Sequence, residues 1–299
     1  MISNFNKIVV GSRTSNLARK QVDIFLISLK KVFGREVFEK VERKFFKTSG
    51  DNYLEKNIPD FGYKGMFTKE IDQAQVRKEV DVAVHSLKDL PTELPKELEI
   101  AAVLKRESSN DVVFSEKGLK INEIKPGSVI GTSSIRRLIQ IKKYRPELKV
   151  KEIRGNIETR IKKVLLGDFD AIILAEAGLR RLNIFRQYQR IEKKTIVPAA
   201  SQGAIGLVVN KTGKIGKLIK KINHSKSFLE VDCERSFLNA LNGSCKTPIG
   251  ANAKLIENND KRIFFRYMVS SLDGKKFTKG SKYFDLSCCK EKIFEFGKK

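Results

Sequence analysis

The segment VHSLKDLP places polar side chains at the end of an apolar run. His85 and Ser86 close that run, and Lys88 and Asp89 follow it. Ligands of α/β proteins bind just beyond the carboxyl ends of the strands, and a Lys–Asp pair in that position is suited to proton transfer. A loop salt bridge of little energetic value is the alternative for Lys88 and Asp89, and a single histidine in a strand is more often structural than catalytic. The residues alone leave both interpretations open.

Two further segments combine hydroxyl groups and arginines between a predicted strand and a predicted helix. The first is GSRTS (11–15), and the second is GTSSIRR (131–137). Free backbone N–H groups at a helix N-terminus attract anions, and a guanidinium group binds a carboxylate through two hydrogen bonds. Ordinary helix capping beside surface arginines would place the same residue types there. Neither segment matches GxGxxG or GxxxxGK[ST], so the pattern does not indicate a nucleotide phosphate.

The loop LNGSCKTPIG (241–250) contains a cysteine, Cys245, among residues that are typical of turns. A free cysteine usually behaves as a small buried apolar residue, so an exposed position for Cys245 needs a reason. Lys246 beside it favours the reactive thiolate modestly. Without other information, Cys245 is a free loop thiol.

The other cysteines are Cys233, Cys288 and Cys289, and the chain has only two histidines. No CxxC pair and no zinc or iron–sulfur spacing is present, so we expect no metal centre. Cys288 and Cys289 are neighbours in a polar segment, and we interpret them as incidental.

Hydrophobic periodicity predicts two similar groups of α/β elements. The first has strands at 7–11, 40–47 and 81–86 and helices at 16–33 and 66–79. The second has a strand followed by a helix cap at 128–134, the helix IRRLIQIKKY and a strand at 170–175. The 81–86 strand is apolar on both faces, which predicts parallel neighbours. The apolar face of the 16–33 helix contains Ala18, Val22, Phe25, Leu26, Leu29 and Val32. GSRTS resembles GTSS, and KGMFTKEIDQAQVRKEVDVAV resembles RGNIETRIKKVLLGDFDAII, which favours two similar lobes with a ligand cleft between them.

The remaining segments predict a crossover and a third domain. The small residues of IVPAASQGAIGLVV (196–209) lead into an apolar strand, which is typical of either a hinge that returns to the first lobe or a tightly packed loop. Residues 227–241 form a predicted helix, and the sequence after it predicts an antiparallel meander with hairpin turns. We expect a small α+β domain there.

The chain has 299 residues, of which 40% are hydrophobic, and a formal net charge of +25. The length predicts two or three domains, and the hydrophobic content is sufficient for a core in each. The charge predicts a polyanionic partner, which is a nucleic acid, an acidic membrane surface or a carboxylate- or phosphate-rich ligand. Lysine-rich helix surfaces would produce the same charge. No run approaches 18 apolar residues and MISNFNKIVVG lacks a signal-peptide core, so we expect a cytoplasmic protein with reduced thiols and no membrane-spanning segment.

Taken together, these segments resemble the porphobilinogen deaminase (hydroxymethylbilane synthase) family. The resemblance covers residues 8 to 251, in family order. The matching segments are GSRTSNLA, KTSGD, KGMFTKE, DVAVHSLKDLP, VIGTSSIRRL, IRGNIETR, DAIILAEAGLRRL, PAASQGAIG and ERSFLNALNGSCKTPIGA. SLKDLP, GTSSIRR and the cysteine loop are specific in combination.

This resemblance implies the fold and its domains. It implies two doubly wound α/β lobes like those of periplasmic binding proteins and a small α+β C-terminal domain with a three-stranded antiparallel sheet. The expected boundaries are 1–104 with 205–222 for domain 1, 105–204 for domain 2 and 223–299 for domain 3.

The same resemblance implies the reaction and its cofactor. Four porphobilinogen molecules are joined head to tail with release of four ammonia molecules, and water then frees hydroxymethylbilane, a precursor of haem and other tetrapyrroles. The implied cofactor is a dipyrromethane, attached by a thioether to Cys245. Cys245 is then a permanent anchor and not a nucleophile that is regenerated in each cycle. The implied partners are polycarboxylate pyrroles, with no nucleic acid and no membrane, and the implied state is a monomer.

Functional residues follow from the matched motifs. Asp89 matches the catalytic aspartate, which would stabilise a cationic azafulvene, bind pyrrole N–H groups and help to move protons, and Lys88 stands beside it. The residues expected to hold the cofactor are Cys245, Arg13, Ser15, Lys64, Thr132, Ser133, Ser134, Arg136, Arg137, Arg154, Asn156 and Arg160. Those expected to contact substrate are Phe67, by packing on a pyrrole ring, Arg181 and Gln202.

The sequence departs from the family pattern at Asn16, where proline is usual, and at Tyr63, Ser201 and Ser244, where glycine is usual. None of these departures removes a catalytic group. Two rival functions remain at this point: a nucleic-acid-binding protein, which the charge favours but no motif supports, and a two-lobed anion-transport protein, in which the third domain and its cysteine would have no role.

Overall fold

The computed structural model describes residues 6–52, 65–244, 247–257 and 261–299. The chain divides into two compact units, Met1–Arg106 with Ala204–Phe228 and Glu107–Gly203 with Leu229–Lys299. The second unit therefore contains both the second α/β sheet and the C-terminal sheet. The boundaries of a three-domain division stay a prediction.

The first unit is built on a five-stranded sheet of order β2-β1-β3-β10-β4. Its strands are β1 (Ile8–Arg13), β2 (Val41–Phe46), β3 (Val82–Ser86), β4 (Leu98–Val103) and β10 (Ile205–Asn210). Its helices are α1 (Asn16–Phe33), α2 (Arg35–Glu39), α3 (Ser49–Asn52), α4 (Lys69–Val76) and α8 (Ile215–Ile219). Two short 3-10 helices lie at Leu87–Asp89 and Lys220–Ile222. Strand β1 runs parallel to β2 and β3, whereas β10 runs antiparallel to β3 and β4. The chain after residue 204 thus returns to the first sheet, which is one of the two interpretations that the 196–209 segment left open.

Helix α1 shows how the sequence determines this unit. The Ser15 hydroxyl caps the helix by accepting a hydrogen bond from the Ala18 N–H at 3.3 Å, and Gly34 ends it with a φ of 81°. Phe25 and Leu29 are fully buried against the sheet, and each such side chain contributes about 1.5–3 kcal/mol by leaving water. Val32 is 49% exposed, so its predicted place on the buried face is wrong.

The second unit repeats the strand arrangement of the first in a sheet of order β7-β6-β8-β5-β9. Its strands are β5 (Asp111–Phe114), β6 (Val129–Gly131), β7 (Lys149–Lys151), β8 (Ala171–Ala175) and β9 (Tyr188–Arg190), and its helices are α5 (Ile135–Tyr144), α6 (Ile157–Leu165) and α7 (Glu176–Arg181). Strand β6 is parallel to β7 and β8, and β5 is antiparallel to β8 and β9. The internal similarity of the sequence therefore reflects two α/β sheets with equivalent order and direction.

The C-terminal part of the second unit is an antiparallel meander. Strands β11 (Ile249–Ile256), β12 (Arg262–Ser270) and β13 (Phe277–Asp285) form a three-stranded sheet, which packs with helices α9 (Ser225–Ala240) and α10 (Cys289–Lys298). The core between sheet and helices is aromatic, with the Phe237 ring 5.2 Å from that of Phe265. The predicted fold class of two α/β lobes and a small α+β part with a three-stranded antiparallel sheet is confirmed.

Two local predictions need correction. Strand β3 has one parallel neighbour and one antiparallel neighbour, because β10 inserts beside it. The helix predicted at 66–79 is shorter, Lys69–Val76, because residues 65–68 form turns in which Gly65 adopts a φ of 83°. Within the described ranges, no helix has both the length and the apolar character that a membrane crossing requires.

Candidate active site

The Asp89 carboxylate is held at the carboxyl end of β3 by a rigid turn. Leu87 and Leu90 are buried on either side of it, and the Leu87 N–H donates to the Ala204 carbonyl at 3.0 Å. Gly206 makes room for this packing, since a Cβ there would lie 2.3 Å from the Leu87 side chain. Asp89 is half-buried, and no group in the described part of the chain donates a hydrogen bond to its carboxylate. This geometry leaves the Asp89 carboxylate available to a ligand.

Arg13 lies at the carboxyl end of β1 and already has an anionic partner. Its Nη2 is 2.5 Å from Asp51 Oδ1, and its guanidinium group lies 4.2 Å above the centre of the Phe67 ring. Asp51 also accepts hydrogen bonds from the Thr48 N–H at 3.0 Å and from the Thr48 hydroxyl at 2.8 Å. Burial raises the pKa of the Asp51 carboxyl, but the bonds from Arg13 and Thr48 outweigh this and hold the pKa below its usual value. Arg13 and Phe67, predicted for different roles, thus form one cluster with Asp51.

The end of β3 is fixed by buried polar contacts. The Gln21 side chain donates to the Ser86 hydroxyl at 2.6 Å, and the Ser12 hydroxyl donates to the Val84 carbonyl at 2.8 Å. His85 is 4% exposed, and burial, with a contribution from the Arg13 charge, lowers its pKa to about 4. His85 is therefore neutral near pH 7, and it can accept or donate a hydrogen bond but carries no charge.

In the second unit, Arg136 and Arg137 converge on one buried carboxylate, Asp111. Arg136 Nη1 lies 2.8 Å from Asp111 Oδ2, while Arg137 contacts Oδ1 through Nη2 at 2.7 Å and Nε at 3.1 Å. The arginines also donate to the Val197 and Ile173 carbonyls. Burial raises the Asp111 pKa, but the two arginines overcome that effect and hold the pKa well below its usual range. Much of the hydrogen-bonding capacity of these two arginines is thus used inside the protein.

Arg160 and Arg181 differ from that pair. Arg160 Nε donates to the Gly155 carbonyl at 2.8 Å, and Arg181 Nη2 donates to the Gly203 carbonyl at 2.7 Å. Neither guanidinium group has a carboxylate within 4 Å among the residues that the structure describes. Burial lowers the pKa of each to about 10. Such partly desolvated cations are suited to binding a carboxylate, because two charge-assisted hydrogen bonds would offset the free energy that each guanidinium group loses when it is removed from water.

Arg154 and the predicted hydroxyl and amide donors lie at loop and helix starts. Arg154 Nε contacts Glu152 at 2.9 Å. Thr132 is buried and accepts from the Ser134 N–H at 3.2 Å, and Ser133 is exposed, with its hydroxyl bonded to the Ile153 carbonyl. The Asn156 side chain caps α6 by accepting from the Thr159 N–H at 2.8 Å. Capping is therefore one established use of Ser15 and Asn156, in agreement with the simpler interpretation of these turns.

Gln202 belongs to the Asp111 cluster. It is fully buried and donates from Nε2 to the Ser109 carbonyl at 2.8 Å and to Asp111 Oδ1 at 3.0 Å. Its neighbour Ser201 has a φ of 63°, the left-handed region that glycine adopts without strain. The Ser201 N–H donates to Glu234 at 2.6 Å, while its buried hydroxyl has no partner in the described ranges. Gln202 is thus seen in a structural role.

Two predicted residues, Lys64 and Cys245, lie outside the described residues. On either side of the Cys245 position, Ser244 and Thr247 exchange hydrogen bonds: the Ser244 N–H donates to Thr247 Oγ1 at 2.9 Å, and the Thr247 hydroxyl donates back to the Ser244 carbonyl at 2.7 Å. No set of histidine, cysteine or acidic side chains in the described ranges is arranged to hold a metal ion.

Sequence reasoning missed Asp51, Asp111 and Gln21. Asp51 stands in the KTSGD segment, and Asp111 opens an apolar strand. An acidic residue at the start of a strand that is buried on both faces was the available signal for Asp111, because such a carboxylate needs a cationic partner.

Comparisons with known proteins agree with the motifs. Residues 8–215 match the family described as "Porphobilinogen deaminase, dipyromethane cofactor binding domain", and residues 228–299 match "Porphobilinogen deaminase, C-terminal domain". The chain is 42% identical to porphobilinogen deaminase of a Nitratiruptor species over 98% of this chain and 91% of the relative. It is 40% identical to porphobilinogen deaminase of Campylobacter jejuni (strain 81116) over 91% and 88% of the two chains.

One solved structure with a weaker likeness is substrate binding domain 2 of Lactococcus lactis GlnP, at 15% identity and a TM-score of 0.44 over 78% of this chain and 93% of that one. That score is too low to support an inference. The family matches and the relatives show that this chain belongs to the porphobilinogen deaminase family.

Proposed function

We propose that this chain is an active porphobilinogen deaminase, a transferase of tetrapyrrole biosynthesis. It joins four porphobilinogen molecules head to tail, releases four ammonia molecules and, with water, yields hydroxymethylbilane. The observation that carries this proposal is the 42% identity over 98% of the chain to a porphobilinogen deaminase. The Asp89 carboxylate, available at the end of β3, supplies the acidic group that the reaction requires.

A dipyrromethane cofactor fits the side chains that are present. Such a group carries four carboxylates, and Arg160 and Arg181 are partly buried cations that contact backbone carbonyls and have no carboxylate partner in the described ranges. When bound, the cofactor supplies the pyrrole carbon to which the first substrate is joined. We propose that Cys245 holds it through a thioether.

The remaining predicted residues would bind its carboxylates and pyrrole N–H groups. We assign this role to Arg13, Ser15, Lys64, Thr132, Ser133, Ser134, Arg136, Arg137, Arg154, Asn156 and Arg160. Each charge-assisted hydrogen bond is worth roughly 1.5–3 kcal/mol, so several together retain the chain while it grows. For Arg13, binding would require exchange of its Asp51 partner.

Asp89 and its neighbours would act on the substrate. Loss of ammonia from porphobilinogen leaves a cation, and the Asp89 carboxylate would stabilise it and accept the proton released when the next carbon–carbon bond forms. Lys88, on the same turn, adds a donor for a substrate carboxylate. Phe67, Arg181 and Gln202 are assigned to substrate contacts, with Gln202 acting through the Asp111 cluster in which it is buried.

The direct test is turnover by Asp89 variants. Purified wild-type protein should release ammonia from porphobilinogen and form a linear tetrapyrrole that is detected by mass spectrometry. Asp89→Asn keeps the shape but removes the charge, and we expect a loss of at least about 100-fold in kcat, the lower range for a positioned proton-transfer group. Asp168→Asn, a change at an exposed aspartate, is the matched control. Wild-type turnover in Asp89→Asn would refute the role of this carboxylate.

We further propose that the protein acts as a cytoplasmic monomer. Its large exposed apolar side chains include Ile27 in α1, Leu166 just after α6 and Leu272 in the turn between β12 and β13, which are separate segments of the chain. Light scattering after size exclusion should give a mass near 34.0 kDa, and a mass of two chains would contradict the monomer.

A further inference from the structure

Two cysteines that are distant in sequence are in contact inside the C-terminal part of the second unit. Cys233 lies in the middle of α9, and Cys289 is the first residue of α10. Their Sγ atoms are 3.5 Å apart, although 56 positions separate them in the chain. Both are free thiols and both are buried, at 0% and 3% exposure. The sequence interpretation of Cys289 as incidental is therefore wrong for its packing.

The surrounding structure holds the two thiols together. Helix α10 lies along α9 and contacts it at several levels: the Ser236 hydroxyl donates to the Lys290 carbonyl at 3.0 Å, and Lys290 Nζ lies 2.9 Å from Asp232. At the other end, a Cβ on Gly297 would lie 2.9 Å from the Ala240 Cβ, so the helices are in close contact there as well. The register of the two helices is therefore fixed beside the cysteine pair, at Lys290, and near the far end of α10, at Gly297.

Cys288 is arranged differently from its neighbour. It is exposed, and its φ of 55° lies in the left-handed region that residues with a Cβ rarely adopt. This backbone conformation turns the two adjacent cysteines in different directions, with Cys288 toward solvent and Cys289 into the core. Only Cys289 can therefore reach Cys233 without unwinding the start of α10.

We propose that Cys233 and Cys289 are an oxidation site at which a peroxide forms a reversible disulfide that fixes the C-terminal helix α10 to α9. A disulfide requires the sulfur atoms to approach from 3.5 Å to about 2.05 Å. Both thiols already lie in one core cluster, so the disulfide would join side chains that are packed together in the native fold.

The chemistry is balanced by the peroxide alone. One oxygen atom of the peroxide is transferred to the first thiol, which becomes a sulfenic acid, and the rest of the peroxide leaves as an alcohol or, from hydrogen peroxide, as water. The second thiol then attacks that sulfur, the S–S bond forms, and the hydroxyl group and the thiol proton leave together as water. Cys289 is the more accessible of the two and is the thiol that reacts first. Burial and the nearby Cys289 raise the pKa of Cys233, which makes Cys233 the less reactive of the two thiols toward peroxide.

The cross-link would close a long loop that contains the whole three-stranded sheet. Constraining a loop of this length lowers the entropy of the unfolded chain. We therefore expect an increase in Tm of at least about 3 °C for the C-terminal part, from the usual stabilisation by disulfides of long loops. Because Cys245 is not one of the two residues, the proposal does not depend on the proposed deaminase function.

The experiment is mild oxidation of the purified protein, as isolated, with hydrogen peroxide. Free thiols are then alkylated, and the protein is digested without reduction and mapped by mass spectrometry. We expect a peptide pair that joins Cys233 to Cys289, lighter by two hydrogen atoms than the two reduced peptides, which disappears on treatment with dithiothreitol. Hydrogen exchange at α10 should slow in the oxidised protein.

Three variants sharpen the result. Cys288→Ser should keep the cross-link, whereas Cys289→Ala and Cys233→Ala should lose both it and the increase in Tm. Three outcomes would overturn the proposal. They are a cross-link of Cys288 to Cys233, a disulfide between Cys245 and either core cysteine, and free, alkylated Cys233 and Cys289 in a sample in which Cys288 is fully oxidised. The expected cross-link without an increase in Tm would overturn the claim that it fixes α10. If one core variant does not fold, the wild type and Cys288→Ser still decide between these outcomes.

Discussion

Asp111→Asn tests the buried cluster that supports the arginines of the second unit. The substitution keeps the size of the side chain and removes its charge. In the native protein the carboxylate accepts bonds from Arg136, Arg137 and Gln202 at 2.7–3.1 Å, and its side chain is fully buried. The arginine side chains are only 5% and 8% exposed. After the change, two buried positive charges lack their shared counter-charge.

The expected decrease in the free energy of unfolding follows from this loss of the counter-charge. Removing one partner of a buried ion pair typically costs about 3–5 kcal/mol, since the remaining charge stays desolvated. Because the Asp111 pKa in the folded protein lies below its unfolded value, its stabilising contribution is present above about pH 4 and is lost as the pH falls below that value. The difference in unfolding free energy between wild type and Asp111→Asn should therefore shrink in acid.

Urea unfolding at pH 7 and at pH 3 is the assay. Hydrogen exchange of β5 and β8 should accompany it, because a chain of two units can unfold in more than one step. Asp168→Asn, at an exposed position of the same unit, should change stability by less than about 0.5 kcal/mol. If Asp111→Asn costs as little as this control, the account of the cluster is refuted.

Three further predictions concern other sites. Ser201→Gly should stabilise the protein by about 1 kcal/mol in thermal unfolding, because glycine adopts the positive φ without strain and the change removes a buried hydroxyl that has no partner in the described ranges. If Ser201→Gly and Ser201→Ala were equally stable, relief of the positive φ would not be the cause. Asp72→Asn should raise the free energy of unfolding by up to about 3 kcal/mol at pH 8 and by much less at pH 4, because burial raises the pKa of this 7%-exposed carboxyl to about 6 and folding therefore disfavours its charged form above that pH. A gain in stability that is independent of pH would count against this explanation. Arg181→Met should keep or raise Tm, because it removes a desolvated cation, and should increase KM for porphobilinogen at least about tenfold, because it removes the group proposed to bind a substrate carboxylate. An unchanged KM would show that Arg181 does not contact substrate.

Local signals predicted the elements that have clear boundaries. Helix α1 was predicted over 16–33 and is found at Asn16–Phe33, because the Ser15 cap and Gly34 determine its two ends. Helix α5 likewise matches its predicted segment, whereas the small residues of 196–209 left a returning crossover and a tightly packed loop both open, and the structure shows the return through β10. Such features depend on neighbours in sequence, which a single chain displays.

Contacts between distant segments could not be predicted in the same way. Asp111 pairs with residues 25 and 26 positions away, and the Cys233–Cys289 contact spans 56 positions. The position of Asp111 at the start of an apolar strand indicates that it needs a cationic partner but not which residues supply it, and nothing local distinguishes Cys289 from the exposed Cys288. The antiparallel pairing of β3 with β10 was missed for a related reason: an apolar strand shows that both faces are buried, but not the direction of its neighbours.

The matched motifs predicted candidate residues, and the structure shows what those residues contact. Arg160 and Arg181 remain without a carboxylate partner in the described part of the chain, whereas Arg13 is paired with Asp51. The assignments of all these residues to cofactor or substrate remain predictions.

The mass of the intact protein tests the central claim most directly. Wild-type protein from a host that makes porphobilinogen should exceed its sequence mass by two porphobilinogen units less two ammonia molecules, and peptide mapping should place this increment on Cys245. Cys245→Ser, expressed and purified in the same way, should have the bare sequence mass. An unmodified wild-type chain, or the same increment in Cys245→Ser, would contradict the proposed cofactor attachment.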